Sequence, residues 1–361
     1  MIEKKTLTKK PQQLIGIQYL RAIAVIFVVL DHATGMSRLP KYFGLNFKIF
    51  NNFFQAGAVG VDLFFVISGF IIVYASLNDI TLTSTISFPV FFKQRFIRII
   101  PFLWVCILAT IILRLLGRGT FPFWDYLRSL TLFPVGEVEP RLVWTLRNEF
   151  LFYVLFGLFI IYWKNKWNWL ILWFISPFIW YTVNLLHAVR IDVLKDLGNF
   201  LFNIHNVDFG IGVLIAIIYK KHLFPHKIKF NISFLVLLII CVPLLILAYN
   251  LGMENASNNF VQLFFCAIYS AMVVQIGIFI HTDSYQNYLN RIGIIIGNAS
   301  YSIYLTHSAI MSALLGFLSK YYSNINSVLL LFLVASSSLI FGVLTYLFVE
   351  KPLINKIKSQ I

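Results

Sequence analysis

Residues 20–33 read LRAIAVIFVVLDHA, an apolar run that opens behind an arginine and closes on an adjacent aspartate and histidine. About twenty predominantly apolar residues cross a bilayer as a helix, and this run, extended to roughly 15–36, has that length. Nine further stretches match it, at roughly 56–77, 97–117, 143–163, 167–187, 199–219, 230–250, 260–281, 294–318 and 326–350. Lipid leaves the backbone two ways to satisfy its hydrogen bonds, helices or a closed barrel. Runs this long without period-two alternation exclude the barrel. The expectation is an all-α polytopic membrane protein, a single membrane domain over 1–361 built as a bundle of about ten transmembrane helices.

Composition agrees. The chain is 59% hydrophobic and 12% charged, with a mean hydropathy of +0.82, far outside the range of soluble domains. Its net charge of +15 is scattered in short clusters between apolar runs rather than gathered on one module, so no nucleic-acid partner is expected. With the N-terminus in the cytoplasm, inner loops hold 17 Lys and Arg and outer loops hold 9, the bias that puts both termini inside. Lys4, Lys5, Lys9 and Lys10 have the look of a secretory n-region. Arg21 at the start of the first run, with Asp31 and His32 just beyond its apolar core, makes it a retained helix instead. Cys106, Cys241 and Cys266 sit inside apolar runs without ligand spacing, so neither a disulfide framework nor a metal site is expected. The longest outer loop, about 118–142, carries Pro122, Pro134, Pro140, Glu137 and Glu139 and is expected to fold over the mouth of the bundle.

Ionisable groups inside spans are costly and mark function by default. Arg21 precedes His32 by eleven residues, which returns to within about 20° of the same helix face roughly 16 Å along the axis. The two are too far apart to touch and suit the two ends of a long ligand. Asp31 points about 100° away from His32, so its partner is expected on another helix. The second span, GVDLFFVISGFII (60–72), holds Asp62 near its start and Ser68-Gly69 in its middle, small residues that equally serve close helix packing. FFKQRFIRIIP (91–101) sets Arg95 and Arg98 three apart on one face, an arrangement for phosphate or for lipid headgroups. WTLRNEFLFY (144–153) brings Trp144, Arg147 and Glu149 into hydrophobic surroundings, and NASYSIYLTHS (298–308) clusters Asn298, Ser300, Ser302, Tyr304, Thr306 and His307. These residues line a wet cavity or supply interhelical hydrogen bonds.

Taken in order, Arg21 with His32, GVDLFFVISGF, RFIRIIP, WTLRNE, SYSIYLTH and the terminal VEKP resemble the acyltransferase-3 family of integral membrane acyltransferases over essentially the whole chain. Ala22 stands where many members have glycine. The resemblance implies a ten-helix enzyme of the bacterial cytoplasmic (inner) membrane. Such an enzyme moves an acyl group, usually acetyl from cytoplasmic acetyl-CoA, to a hydroxyl of a cell-envelope or exported glycan. His32 falls on the family's essential histidine, Arg21 on its paired arginine, and Arg95 and Arg98 on its Arg-x-x-Arg motif. The opening IQYLRAIA and the stretch SLTLFP look most like stand-alone exopolysaccharide O-acetyltransferases. Some relatives carry a fused extracytoplasmic domain, and here any such partner is expected to be a separate protein.

The chemistry then calls for His32 as general base, with Asp31 and Glu149 as further catalytic candidates. Arg21, Arg95 and Arg98 are expected to hold the nucleotide end of acetyl-CoA, and Ser68, Trp144, Tyr304 and His307 to line the channel. A covalent acetyl-imidazole relay is the variant of the same chemistry. The alternative from another class is a polytopic exporter or flippase of a lipid-linked saccharide, which predicts matching repeats with broken helices; no such symmetry is visible.

Overall fold

The first run folds as α1, Ile15–Ser37, and fifteen of its 23 residues are buried, too many for a helix at the lipid-facing rim. The chain winds around it. The computed structural model describes residues 14–44, 50–79, 81–116, 120–186, 191–221, 223, 232–248, 259–280 and 288–360. In chain order the helices after α1 are α2 (Val59–Ser76), α3 (Phe88–Leu116), α4 (Phe123–Thr131), α5 (Val143–Phe156), α6 (Trp167–Leu185) and α7 (Asp192–Leu201). They continue with α8 (Asn206–Lys220), α9 (Phe234–Ala248), α10 (Asn259–Ile278), α11 (Tyr288–Tyr321), α12 (Ser327–Thr345) and α13 (Lys351–Ser359). Among the described residues the only strand-like pairing is the single bridge Leu77–Ser84.

Seven helical stretches are long and apolar enough to span a membrane, and shorter apolar helices lie at Phe234–Ile246 and Phe265–Ile278. The protein is an all-α polytopic membrane protein. The boundaries follow the hydropathy closely, with two differences. The third span begins at Phe88, so that FFKQRFIR forms its first turns. The sixth region divides into α7 and α8, where an amphipathic run, DVLKDLGNFL, precedes the apolar one.

Side-chain contacts fix the directions. Gly297 of α11 lies against Gln18 of α1, and His307 against His32, so α1 and α11 run parallel. Gly57 sits on Phe27 and Gly60 on Ala24, which makes α2 antiparallel to α1. Asp62 meets His205 and the Leu77 carbonyl accepts from Lys220, so α2 and α8 run parallel; between these points Gly69 meets the Phe209 carbonyl and Gly212 the Val66 carbonyl, a reciprocal contact that a Cβ on either side would block. This is how two backbones approach closely where lipid supplies no hydrophobic drive.

The loop after α4 is pinned over one end of the bundle. Arg147 of α5 donates to the Gly136 carbonyl at 2.9 Å, the Glu139 amide donates to Ser129 Oγ at 3.0 Å, and Arg114 pairs with Glu139 at 3.2 Å. These contacts tie the described part of 118–142 to α3, α4 and α5.

Candidate active site

α1, α2, α3, α5 and α11 line a partly open cavity whose wall carries Arg21, Arg95 and Arg98 at one end and Thr145 and Tyr304 among its other polar groups. A wider depression of about 1460 Å3 shares the same three arginines and adds Lys93, Gln94, Asn298, Glu350 and Lys358. The guanidinium groups therefore stand on the boundary between an open, mostly cationic mouth and an interior chamber.

The local sequence explains how they get there. Arg95 and Arg98 are three apart on α3 and so share a face. Arg95 is buried, its guanidinium 5.6 Å from the ring centres of both Phe91 and Tyr153, which hold the plane of the group. Arg21 projects from α1 and reaches Gln18 Oε1 at 3.4 Å.

Inside the chamber Ser68 Oγ donates to Glu149 Oε1 at 2.8 Å, and the Tyr153 hydroxyl donates to the same oxygen. Glu149 is thus an acceptor held from α2 and from its own helix, and it shares the chamber wall with all three arginines. Tyr304 and Thr145 join hydroxyls at 2.9 Å, with the Leu142 carbonyl as a further acceptor for both.

One helical turn beyond Tyr304 stands His307, fully buried, with its Nε2 3.1 Å from Nδ1 of His32. The ring centres of the two histidines are 4.9 Å apart, and that of Tyr304 is 5.8 Å from that of His307. His32 and His307 are 275 residues apart in the sequence, and the fold makes them one pair.

The remaining site residues fall elsewhere. Asp31 lies where Gly57 closes on α1, and no side-chain hydrogen bond joins it to His32 among the described residues. Of the residues expected to line the channel, Ser68 and Tyr304 do so, whereas His307 and Trp144 stand outside the chamber wall, as do His32 and Asp31; Trp144 packs its ring 5.4 Å from that of His205. His205 Nδ1 lies 3.1 Å from Asp208 and 3.2 Å from Asp62, a buried carboxylate–imidazole–carboxylate group that the sequence reading did not assemble. Its one visible signal was Asp62 inside an apolar run.

Glu350 was missed as well. A π-helical turn, Tyr346–Glu350, ends α12 and turns this carboxylate inward, where Ser302 donates to it and it joins Arg21 and Arg98 around the cationic mouth. The VEKP motif contained the residue, but a helical projection at constant pitch does not reveal a face changed by an inserted residue.

Comparison with known sequences decides the family. The pattern of the family described as an acyltransferase domain matches residues 14–347. The chain belongs to the acyltransferase-3 family. Among its relatives are O-acetyltransferase OatA of Staphylococcus aureus (strain NCTC 8325 / PS 47), 29% identical over 168 residues, which are 42% of this chain and 25% of that protein. Another is the exopolysaccharide production protein ExoZ of Rhizobium meliloti (strain 1021), 37% identical over 116 residues, 29% of this chain and 34% of that protein. The matched regions therefore span a quarter to a third of these relatives. No solved structure matches the chain.

Proposed function

We propose that the protein is a membrane O-acyltransferase of the bacterial cytoplasmic membrane, with both termini in the cytoplasm. On this reading it takes an acetyl group from acetyl-CoA and delivers it to a hydroxyl of a cell-envelope or exported glycan, with His32 as general base. The observation that carries this reading is the position of Arg21, Arg95 and Arg98. They form the shared wall between a cationic mouth and a chamber that reaches Tyr304, one helical turn from the His32–His307 pair.

The donor fits by its chemistry. Acetyl-CoA has a polyanionic nucleotide end and a long neutral arm ending in a thioester. Three guanidiniums with Lys93 and Lys358 match the first, since guanidinium groups bind phosphate oxygens in pairs. Arg21 and His32 are about 16 Å apart along α1, comparable to the reach of a phosphopantetheine arm. A polar lining of Ser68, Thr145, Tyr304 and Glu149 suits an amide-bearing chain.

At the far end, His32 removes the proton from the acceptor hydroxyl as its oxygen attacks the thioester carbon. The carbon–sulfur bond then breaks, and the leaving thiolate takes that proton, giving an ester and the free thiol of CoA. A two-step course through acetyl-His32 uses the same groups. The printed descriptions of the two relatives, an O-acetyltransferase and an exopolysaccharide production protein, support a glycan acceptor, presented with or without a separate extracytoplasmic partner.

The test is binding and turnover of acetyl-CoA by purified protein, comparing wild type with His32→Ala and with the double variant Arg95→Ala/Arg98→Ala. The reading expects binding to survive loss of His32 and to fail without the arginines, with turnover lost in both. A folded wild type that binds no acetyl-CoA would overturn the choice of donor.

A further inference from the structure

We propose that His307 is a positioning residue for His32: it fixes which ring nitrogen of His32 is bare and shares the charge that arises when that nitrogen takes a proton. The inference rests on His32 being the base and names the group that makes it one.

The argument starts from the acceptors. His307 Nδ1 lies 2.7 Å from the Tyr304 carbonyl and 3.2 Å from the Ile303 carbonyl. Carbonyl oxygens only accept, so this nitrogen carries a hydrogen. The other nitrogen, Nε2, faces His32 Nδ1 at 3.1 Å. Two ring nitrogens at that distance have room for one hydrogen between them. The Val28 carbonyl, 3.1 Å from His32 Nδ1, decides which of the two holds it. Flanked by a carbonyl and by a ring nitrogen, His32 Nδ1 donates to both, and His307 Nε2 is the bare acceptor. The lone pair of neutral His32 is then on Nε2. The assignment follows from the surrounding acceptors rather than from seen hydrogens.

His307 holds this arrangement rigidly. It is fully buried, tied by two carbonyls of its own helix, and ringed by Tyr304, which also lines the chamber. Its helix runs parallel to α1 and is fixed to it at Gly297 against Gln18, so the two imidazoles meet without help from a mobile loop.

The consequence concerns the moment of proton transfer. When His32 Nε2 accepts a proton, the Nδ1 hydrogen becomes acidic, and His307 Nε2 is the group that receives its hydrogen bond. In a serine hydrolase triad a carboxylate holds the base in the right tautomer and stabilises the imidazolium. Here a second imidazole occupies that place. It adds no charge to the resting site, and the Tyr304 and Ile303 carbonyls at its far side accept a hydrogen bond but take no proton away. The proton therefore stays on the pair and returns to the leaving thiolate through His32.

Three variants and one spectrum test this. In protein labelled with 15N-histidine, His32 is expected as the Nδ1–H tautomer, with a 15N–15N coupling across the hydrogen bond to His307 Nε2. With acetyl-CoA as donor and water as acceptor, release of free CoA thiol by His307→Leu is expected to fall on the order of 100-fold, with KM for acetyl-CoA unchanged because the arginine wall is untouched. His307→Gln offers an amide oxygen to the same hydrogen and should recover part of the loss. The proposal is overturned by the Nε2–H tautomer at His32, by absence of the coupling, or by a leucine variant within twofold of wild type. Equal losses in Leu and Gln with a raised KM also overturn it and make His307 a packing residue. His32→Ala separates the two levels of inference: if that variant keeps wild-type turnover, the base assignment fails while the spectrum still reports whether the pair exists.

Discussion

Ser68 on α2 and Tyr153 on α5 both donate to one oxygen of Glu149, so a single carboxylate ties the middle of two spans inside the chamber. Because both hydroxyls meet Oε1, Glu149→Gln retains an oxygen for them and removes only the negative charge. We expect that variant to keep its thermal midpoint while kcat falls about tenfold or more, the scale of a group that takes part in proton handling. Glu149→Ala strands both hydroxyls and should lose about 1–3 kcal/mol of stability as well. Equal midpoint losses in both variants, with kcat intact in the glutamine form, would give Glu149 a structural role.

The arginines on the chamber wall are not equivalent. Arg95 is buried between the rings of Phe91 and Tyr153, whereas among the described residues no such stacking is found for Arg98. A lysine keeps the charge but lacks the flat guanidinium. Arg95→Lys should therefore raise KM for acetyl-CoA nearly as much as Arg95→Ala, on the order of tenfold or more for loss of a charge-assisted hydrogen bond. Arg98→Lys should be the milder change. Measured KM values for the four substitutions at the two positions check this ordering, and an increase of KM with salt would confirm that charge drives the binding.

The contact of α2 with α8 offers a test of the fold at Gly212, a residue outside the chamber wall. A Cβ on Gly212 would run into the Val66 carbonyl and the Phe70 amide nitrogen, both backbone and unable to yield. Gly212→Ala should cost about 1–3 kcal/mol, the range for overpacking, read as a lower thermal midpoint in detergent. Gly35 of α1 has open space around its Cβ position. Gly35→Ala should leave the midpoint unchanged or raise it slightly, because alanine is the better helix former.

The legibility of the sequence divides along a physical line. Hydropathy located the spans because burial in lipid acts on every residue of a helix, and the starts of α1, α5 and α6 fall where the apolar runs begin. Helical spacing put Arg95 and Arg98 on one face for the same reason: the relation is local. The pairing of His32 with His307 is not local, since it depends on α1 and α11 running parallel in a register set by Gly297 against Gln18. The inward turn of Glu350 depends on an inserted helical residue, and the grouping of Asp62 with His205 and Asp208 on the α2/α8 register. His32, His307 and Asp62 were each conspicuous as polar groups in apolar runs, while which groups they meet was visible only in three dimensions.

That last grouping carries its own prediction. His205 stands between two buried carboxylates, 3.1 Å from Asp208 and 3.2 Å from Asp62, with Phe65 and Trp144 against its ring. Removing the imidazole leaves two carboxylates facing each other in an apolar bundle. Breaking a buried ion pair by deleting one partner costs about 3–5 kcal/mol, because the remaining charge is uncompensated. His205→Ala should therefore be poorly expressed or unfold well below wild type. The double change His205→Ala/Asp208→Asn, which leaves only Asp62 charged, should recover a good part of that loss, and the recovery is read as a rise in thermal midpoint over the single variant. If His205→Ala is as stable as wild type, the three groups do not form a charged unit.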